Sequence, residues 1–150
     1  MLKVIIKALF PSKSRVPSKV QERRQGDQRN IYPAREGYRA DLGMTFKSSM
    51  EANVARYYTF KGVSWEYEPE IFHFPKGSSK LDITAYCPDF KIRYGHVTRY
   101  VEVKGSVDNY CHEKAWLLKR FYPWVKLDII GPFEYSVIRK RHQKQIKNWE

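Results

Sequence analysis

Residues 81–105 read LDITAYCPDFKIRYGHVTRYVEVKG, and this stretch decides the predicted fold. Residues 81–86 and 100–103 have the β-branched and aromatic composition of strands. Between them, residues 93–97 contain Gly95, which supplies the positive φ that a hairpin turn requires. We therefore predict two neighbouring strands joined through a β-hairpin.

A helix and a strand are predicted on the N-terminal side of this stretch. Ser48-Ser-Met-Glu51 resembles a capping box, and the apolar residues that follow it recur at helical spacing. This pattern predicts a helix over Ser49–Phe60, and Gly62 is placed to end it. Residues 64–68, SWEYE, alternate aromatic and acidic side chains, as in a half-buried strand.

The C-terminal side predicts a second helix and a last strand. Asn109–Phe121 is amphipathic and is stopped by Pro123, and residues 125–130 form an apolar strand that ends at Gly131-Pro132. The order helix, three strands, helix, strand predicts a mixed β-sheet flanked by helices. We expect a single domain of the α/β (α+β) class.

Composition and charge restrict the function. The 150 residues include 28 Lys and Arg against 16 Asp and Glu, a net charge of +12, and 42% are hydrophobic. That apolar content predicts a folded chain, and the charge favours a polyanionic partner, either nucleic acid or an anionic membrane surface. No apolar run reaches the roughly 18 residues of a membrane span, and we expect an intracellular, cytoplasmic protein. Cys87 and Cys111 have no zinc-site spacing, so we expect free, buried thiols.

Both ends of the chain are basic. Residues 11–40 carry eight Lys and Arg against three acids with little apolar periodicity, and a short strand over residues 4–10 precedes them. We predict an irregular N-terminal arm over residues 1–40, either a solvated linker or a phosphate-binding segment, and a folded domain over 41–150. The tail, residues 135–149, is expected to form a basic helix, and its DNA-binding candidates are Arg139, Lys140, Arg141 and Lys144.

Two acids and a lysine carry the candidate chemistry. Alternation along a strand places Glu102 and Lys104 on one face, with Val101 and Val103 directed into the core. If Asp89 ends the neighbouring strand of the hairpin, its carboxylate meets Glu102. Two carboxylates that close repel each other unless a cation lies between them, and Mg²⁺ prefers such oxygen ligands.

These motifs resemble the PD-(D/E)xK nuclease superfamily. Pro88-Asp89 is followed 13 positions later by Glu102, within Glu102-Val-Lys104, and Glu51 lies on a preceding helix. The pattern is similar to phage-type endonuclease I, the junction-resolving branch, and to related small phage endonucleases, over residues 47–130. A restriction-endonuclease-like core is the fold that this resemblance implies.

The resemblance implies Mg²⁺-dependent hydrolysis of DNA phosphodiester bonds, with Mn²⁺ able to substitute. Asp89, Glu102 and the Val103 carbonyl would hold the metal, and Glu51 would bind a second metal or its water. Lys104 would orient or deprotonate the attacking water or stabilise the transition state, and the sequence leaves these roles open. Lys47, before the helix, could bind a phosphate. We expect a preference for branched or Holliday-junction DNA and a homodimer that makes two symmetric cuts.

Other interpretations remain at this point. Asp89 could cap a turn while Glu102 and Lys104 form a surface ion pair on an exposed strand. The chain could be a non-catalytic basic nucleic-acid-binding or virion protein, which would leave these three residues without a role. It could also be a site-specific, transposase or restriction-type endonuclease with the same chemistry and another substrate.

Overall fold

A computed structural model describes residues 35–150 of the chain. In chain order its elements are β1 (Gly37–Arg39), β2 (Met44–Phe46), α1 (Ser49–Phe60), β3 (Ser64–Tyr67), β4 (Phe72–His73), β5 (Ala85–Tyr86), β6 (Phe90–Tyr94), β7 (Val97–Val103), α2 (Asn109–Phe121), β8 (Leu127–Ile130) and α3 (Pro132–His142). Predictions for residues 1–34, including the strand at 4–10 and most of the arm, lie outside the described residues.

The central sheet has four strands in the order β3-β6-β7-β8. Strands β3, β6 and β7 are antiparallel, whereas β8 pairs with β7 in parallel. A parallel neighbour requires a crossover, and α2 provides it. The mixed sheet with flanking helices confirms the predicted α/β (α+β) class.

The predicted hairpin is present, but its first strand was placed wrongly. The turn lies between Tyr94 and Val97, with Gly95 at a φ of 56° as predicted. The strand before the turn is Phe90–Tyr94, while residues 81–84 are irregular and contain Asp82 at a φ of 54°. Pro88 has no N–H to donate to a ladder, so the sheet strand starts after it.

Both predicted helix positions are confirmed, because their boundaries are set by local chemistry. Helix α1 begins after Ser48, whose hydroxyl accepts the Glu51 N–H at 3.1 Å, and it ends just before Gly62 at a φ of 65°. In α2, the Asp108 side chain caps the Cys111 N–H at 2.9 Å. Each cap satisfies an N–H that has no partner within the helix.

Other boundaries also differ from the predictions; strand β7, for example, begins at Val97 and not at residue 100. Gly37–Arg39 forms a strand with Met44–Phe46, so the end of the predicted irregular arm is ordered. Strand β8 is shorter than predicted and begins at Leu127. The basic helix α3 starts earlier than predicted, because Pro132 occupies its first turn, where a missing N–H costs nothing.

Helices cover both faces of the sheet. On one face, Phe90 packs edge-on against Tyr58 of α1 with ring centroids 6.0 Å apart. On the other face, Tyr100 joins a buried cluster with Phe72 of β4 and Leu117 and Leu118 of α2. Glu102 alternates with Val101 and therefore shares the α2 face with Tyr100.

Two further sequence predictions concern the thiols and membrane spans. Both cysteines are free, as predicted; Cys111 is buried, whereas Cys87 is only half-buried. Among the helices of residues 35–150, none combines the length and the apolar character that crossing a bilayer would require.

Candidate active site

The β6–β7 hairpin brings Asp89 and Glu102 together at one end of the two central strands of the sheet. Phe90 pairs with Val101, so Asp89, immediately before Phe90, lies opposite the segment that carries Glu102. The Asp89 carboxylate accepts the Val103 N–H at 2.6 Å, and the Asp89 carbonyl accepts the Glu68 N–H at 2.8 Å. These bonds fix Asp89 between β3 and β7.

Glu102 is a buried carboxylate with two specific partners. Only 2% of the residue is exposed. One carboxylate oxygen lies 2.9 Å from Lys104 Nζ, and the other accepts the Tyr86 hydroxyl at 2.7 Å. A surface ion pair on an exposed strand, the alternative left open by the sequence, is therefore wrong for Glu102. Burying a carboxylate is unfavourable, and an apolar side chain would fill this position at lower cost. A functional role would explain why a carboxylate occupies it.

The pKa of the Asp89 carboxyl group is strongly raised. Burial, together with the Glu102 charge, raises the pKa of Asp89 from 3.8 to about 8, despite the stabilising Val103 N–H and Lys104 charge. Glu51 adds a smaller unfavourable charge. An acid whose ionisation is disfavoured by burial and by a neighbouring carboxylate is one whose charged form a bound cation would stabilise.

Lys104 is held in its charged form. Burial lowers the pKa of Lys104, but the Glu102 carboxylate outweighs this effect, and the net shift is upward. The ammonium group therefore stays protonated in the protein without a metal. This charge state favours an electrostatic role for Lys104 over proton abstraction.

Glu51 lies near Asp89 and Glu102, but its carboxylate already accepts hydrogen bonds from neighbouring residues. Its carboxylate accepts the Ser48 hydroxyl at 2.9 Å, the Lys47 N–H at 3.2 Å and the Tyr67 hydroxyl at 2.5 Å. It is 7% exposed. Three donors already satisfy this carboxylate, so its predicted part in binding a second metal remains a prediction.

Lys47 is the exposed cation beside this cluster. Its ammonium group pairs with Glu68, and the charges of Glu68, Asp89 and Glu51 together raise its pKa. The side chain is 65% exposed. Lys47 is thus accessible to a phosphate at the same end of the sheet as Asp89 and Glu102.

Three residues of the cluster were not predicted from the sequence. Tyr86 and Tyr67 each donate a hydroxyl to one of the acids, and Lys114 of α2 lies 3.9 Å from Glu102. The tyrosines gave no distinguishing signal among the chain's 11. Lys114 did, because it interrupts the apolar spacing of Cys111 and Leu118 on the inward face of an amphipathic helix.

The basic residues of α3 are not brought to this cluster. His142, at the end of α3, packs against Tyr57 and Phe60 with ring centroids 5.3 and 5.8 Å apart. Tyr57 and Phe60 lie toward the C-terminal end of α1, about 9 and 14 Å along the helix from Glu51. The predicted DNA-binding residues Arg139, Lys140, Arg141 and Lys144, on α3 and just after it, therefore belong to a separate basic surface, named here the α3 surface.

The donor set of the site consists of the two paired carboxylates. Within residues 35–150, no three His, Cys, Asp or Glu side chains are grouped closely enough to hold a metal by themselves. Mg²⁺ commonly uses only one or two protein carboxylates and takes its other ligands from water and substrate phosphate. Asp89 and Glu102, with the adjacent Val103 carbonyl, fit that pattern.

Neither a protein-family model nor a curated protein sequence matches this chain.

Proposed function

We propose that this protein is a Mg²⁺-dependent endodeoxyribonuclease. The observation that carries the proposal is Glu102: a fully buried carboxylate, close to a second carboxylate, with a lysine on one oxygen and a tyrosine on the other. This combination is unfavourable as a structural element and suited to metal-assisted attack on a phosphate.

Asp89, Glu102 and the Val103 carbonyl would hold the cation, with Glu51 close by. When bound, Mg²⁺ would activate water and neutralise charge on the phosphate. The raised pKa of Asp89 supports this assignment, because a cation would replace the proton that the acid otherwise retains.

Lys104 contributes the second part of the chemistry. Its ammonium group is anchored to Glu102 at 2.9 Å and is only 34% exposed. From that position it would orient the attacking water and stabilise the negative charge that develops on the phosphate in the transition state. Because Lys104 is protonated, removal of the water's proton would fall to another acceptor.

DNA is the substrate that the charge distribution supports. Lys47 and Lys104 lie at the acidic cluster, and the α3 surface provides further cations away from it. A basic surface separated from the candidate active site suits a substrate in which phosphate tracks diverge, so we propose branched DNA as the preferred substrate and a homodimer as the active form.

The test is incubation of the purified chain with Mg²⁺ and a matched panel of four-way junction, flap, nicked, single-stranded and linear duplex DNA. We expect cleavage that EDTA abolishes, and faster cleavage of branched DNA. Equal cutting of linear duplex and junction would favour the site-specific or restriction-type alternative. Binding of every DNA without cleavage, across a series of divalent cations, would contradict the nuclease proposal and favour a basic binding protein.

A further inference from the structure

Lys114 occupies an unusual position for a lysine. It lies on α2 on the same face as buried Cys111 and Leu118, and only 25% of its side chain is exposed. Its Nζ lies 4.9 Å from the centre of the Tyr86 ring and 3.9 Å from a Glu102 carboxylate oxygen. An apolar side chain would fill this position at lower desolvation cost.

Lys114 and Lys104 approach the same oxygen of Glu102 in different ways. Lys104 lies at hydrogen-bonding distance, 2.9 Å, whereas Lys114 at 3.9 Å lies beyond it. Among residues 35–150, no protein acceptor lies within hydrogen-bonding distance of the Lys114 ammonium group. Its side-chain contacts are the long ion pair to Glu102 and the face of Tyr86, which stabilise a positive charge but engage none of its three N–H donors.

The Lys114 ammonium group is half-buried beside the acid pair, and its N–H donors are available to an anionic ligand. Tyr86 links the two groups, since it supports Lys114 with its ring and Glu102 with its hydroxyl. The proposed reaction would bring an anion to this place, because a phosphate attacked at the Asp89–Glu102 pair presents its non-bridging oxygens to the neighbouring side chains. Lys104 is already committed to Glu102.

We propose that Lys114 is a second lysine of the active site and binds a non-bridging oxygen of the scissile phosphate. This inference rests on the proposed nuclease function and adds a substrate contact to it. Lys104 acts from its anchored position on Glu102, whereas Lys114 holds the substrate phosphate itself. The two lysines therefore have separable effects on binding.

The first experiment compares Lys114→Ala and Lys114→Met with Lys119→Ala, an exposed lysine of the same helix, as the matched control. On whichever DNA the parent cleaves, we expect kcat/KM to fall about 10²-fold in both Lys114 variants and to stay within about twofold in the control. Lys114→Met keeps the aliphatic stem over Tyr86, so a loss shared by both variants is not a packing defect. Partial recovery in Lys114→Arg would support the charge requirement.

The second experiment measures binding without turnover. Ca²⁺ replaces Mg²⁺, and the DNA carries either a normal phosphate or an uncharged methylphosphonate at the position that the parent cuts. The parent should lose affinity on the modified DNA, whereas Lys114→Ala, already lacking the contact, should lose at least threefold less. Equal losses in both proteins would overturn the assignment.

The outcomes separate this inference from the function it rests on. If the parent cleaves DNA and Lys114→Met cleaves at the parental rate, the phosphate contact is wrong and the nuclease proposal stands. If the parent cleaves no DNA with any divalent cation, the nuclease proposal fails and this inference fails with it. Circular dichroism of each variant confirms that the fold is retained.

Discussion

Two groups of charged side chains in this protein differ in how their carboxylates are neutralised. In the first, named here the arginine cluster, Arg56 donates to both oxygens of Asp41 at 2.7 and 3.0 Å and to Glu150 at 3.0 Å. Arg39 holds the same Glu150 carboxylate with bonds of 2.8 and 3.0 Å. In the second, the candidate site, Asp89 faces Glu102, and no arginine of residues 35–150 contacts either acid.

The pKa values report the difference. Hydrogen bonding to Arg56 lowers the pKa of Asp41 to about 2, whereas burial and Glu102 raise the pKa of Asp89 to about 8. The chain therefore can neutralise its carboxylates with arginines and does so in the arginine cluster. At the candidate site the pKa of Asp89 stays raised despite the nearby Lys104 charge, which is expected where a ligand supplies further positive charge.

The largest expected effect is that of the metal. Cleavage should require Mg²⁺ or Mn²⁺ and should cease in excess EDTA, while Ca²⁺ should support DNA binding with little turnover, because its coordination is larger and looser. A gel-based cleavage assay over the three cations tests this. The arginine cluster needs no metal, so thermal unfolding in EDTA should show an intact fold. Full activity in EDTA would remove the distinction between the two clusters.

Substitutions at the site should reduce turnover by on the order of 10³-fold. Lys104→Ala, Asp89→Asn and Glu102→Gln should all show this loss in single-turnover cleavage, and DNA affinity should be nearly unchanged or higher for the two acids. The matched control is Glu66→Gln, whose exposed carboxylate pairs with Arg93 at 2.8 Å on the same sheet. If Lys104→Ala cuts as fast as the parent, the site has been placed wrongly.

Arg56→Ala should destabilise the protein by about 2 kcal/mol, because it removes several charge-assisted hydrogen bonds made by a buried guanidinium group. Arg56 is only 6% exposed. Arg93→Ala removes an exposed pair and should cost no more than about 1 kcal/mol. Urea unfolding of the two variants measures both values, and similar losses would show that the arginine cluster is no more than a surface network.

Asp89→Asn should stabilise the metal-free protein, on the order of 1 kcal/mol, while abolishing activity. A carboxyl whose pKa is raised from 3.8 to about 8 favours the folded state in its protonated form, so the metal-free parent should lose stability as the pH rises from about 4 to 8. Urea unfolding in EDTA at pH 5 and pH 8 measures this slope. The decrease in stability between pH 5 and pH 8 should be smaller in Asp89→Asn than in the parent. Equal decreases in the two proteins would contradict the raised pKa of Asp89.

The arginine cluster should respond to pH with the opposite sign. Asp41 and Glu150 have lowered pKa values, so their stabilisation is present above about pH 4 and is lost as the pH falls toward 2. Asp41→Asn should flatten the acid limb of a stability–pH curve measured by urea unfolding. An acid limb identical to that of the parent would indicate that other carboxylates dominate it.

The smallest effect is expected on the α3 surface. Lys140→Ala combined with Lys144→Ala should weaken DNA binding a few-fold and reduce its salt dependence by one or two charges, with little change in turnover at saturating DNA. Fluorescence anisotropy over a salt series measures this. A large loss of turnover would mean that this surface positions the scissile phosphate, despite its distance from Glu51.

The sequence alone determined the features that depend on neighbouring residues. The limits of α1 and α2 follow from Ser48 and from apolar spacing, and the hairpin turn follows from Gly95. Strand alternation also placed Glu102 and Lys104 on one face, because side chains two residues apart share a direction. The sheet strand begins at Phe90, after Pro88, and the composition of residues 81–86 misled the prediction.

Only the tertiary structure decided what lies between elements that are distant in sequence. The burial of Glu102, the approach of Lys114 from α2 and the hydroxyls of Tyr67 and Tyr86 depend on how helices pack on the sheet. The separation of the α3 basic residues from the acidic pair has the same origin. Local patterns fix the direction of a side chain within its own element, whereas burial and pKa depend on the groups that packing brings within a few ångströms.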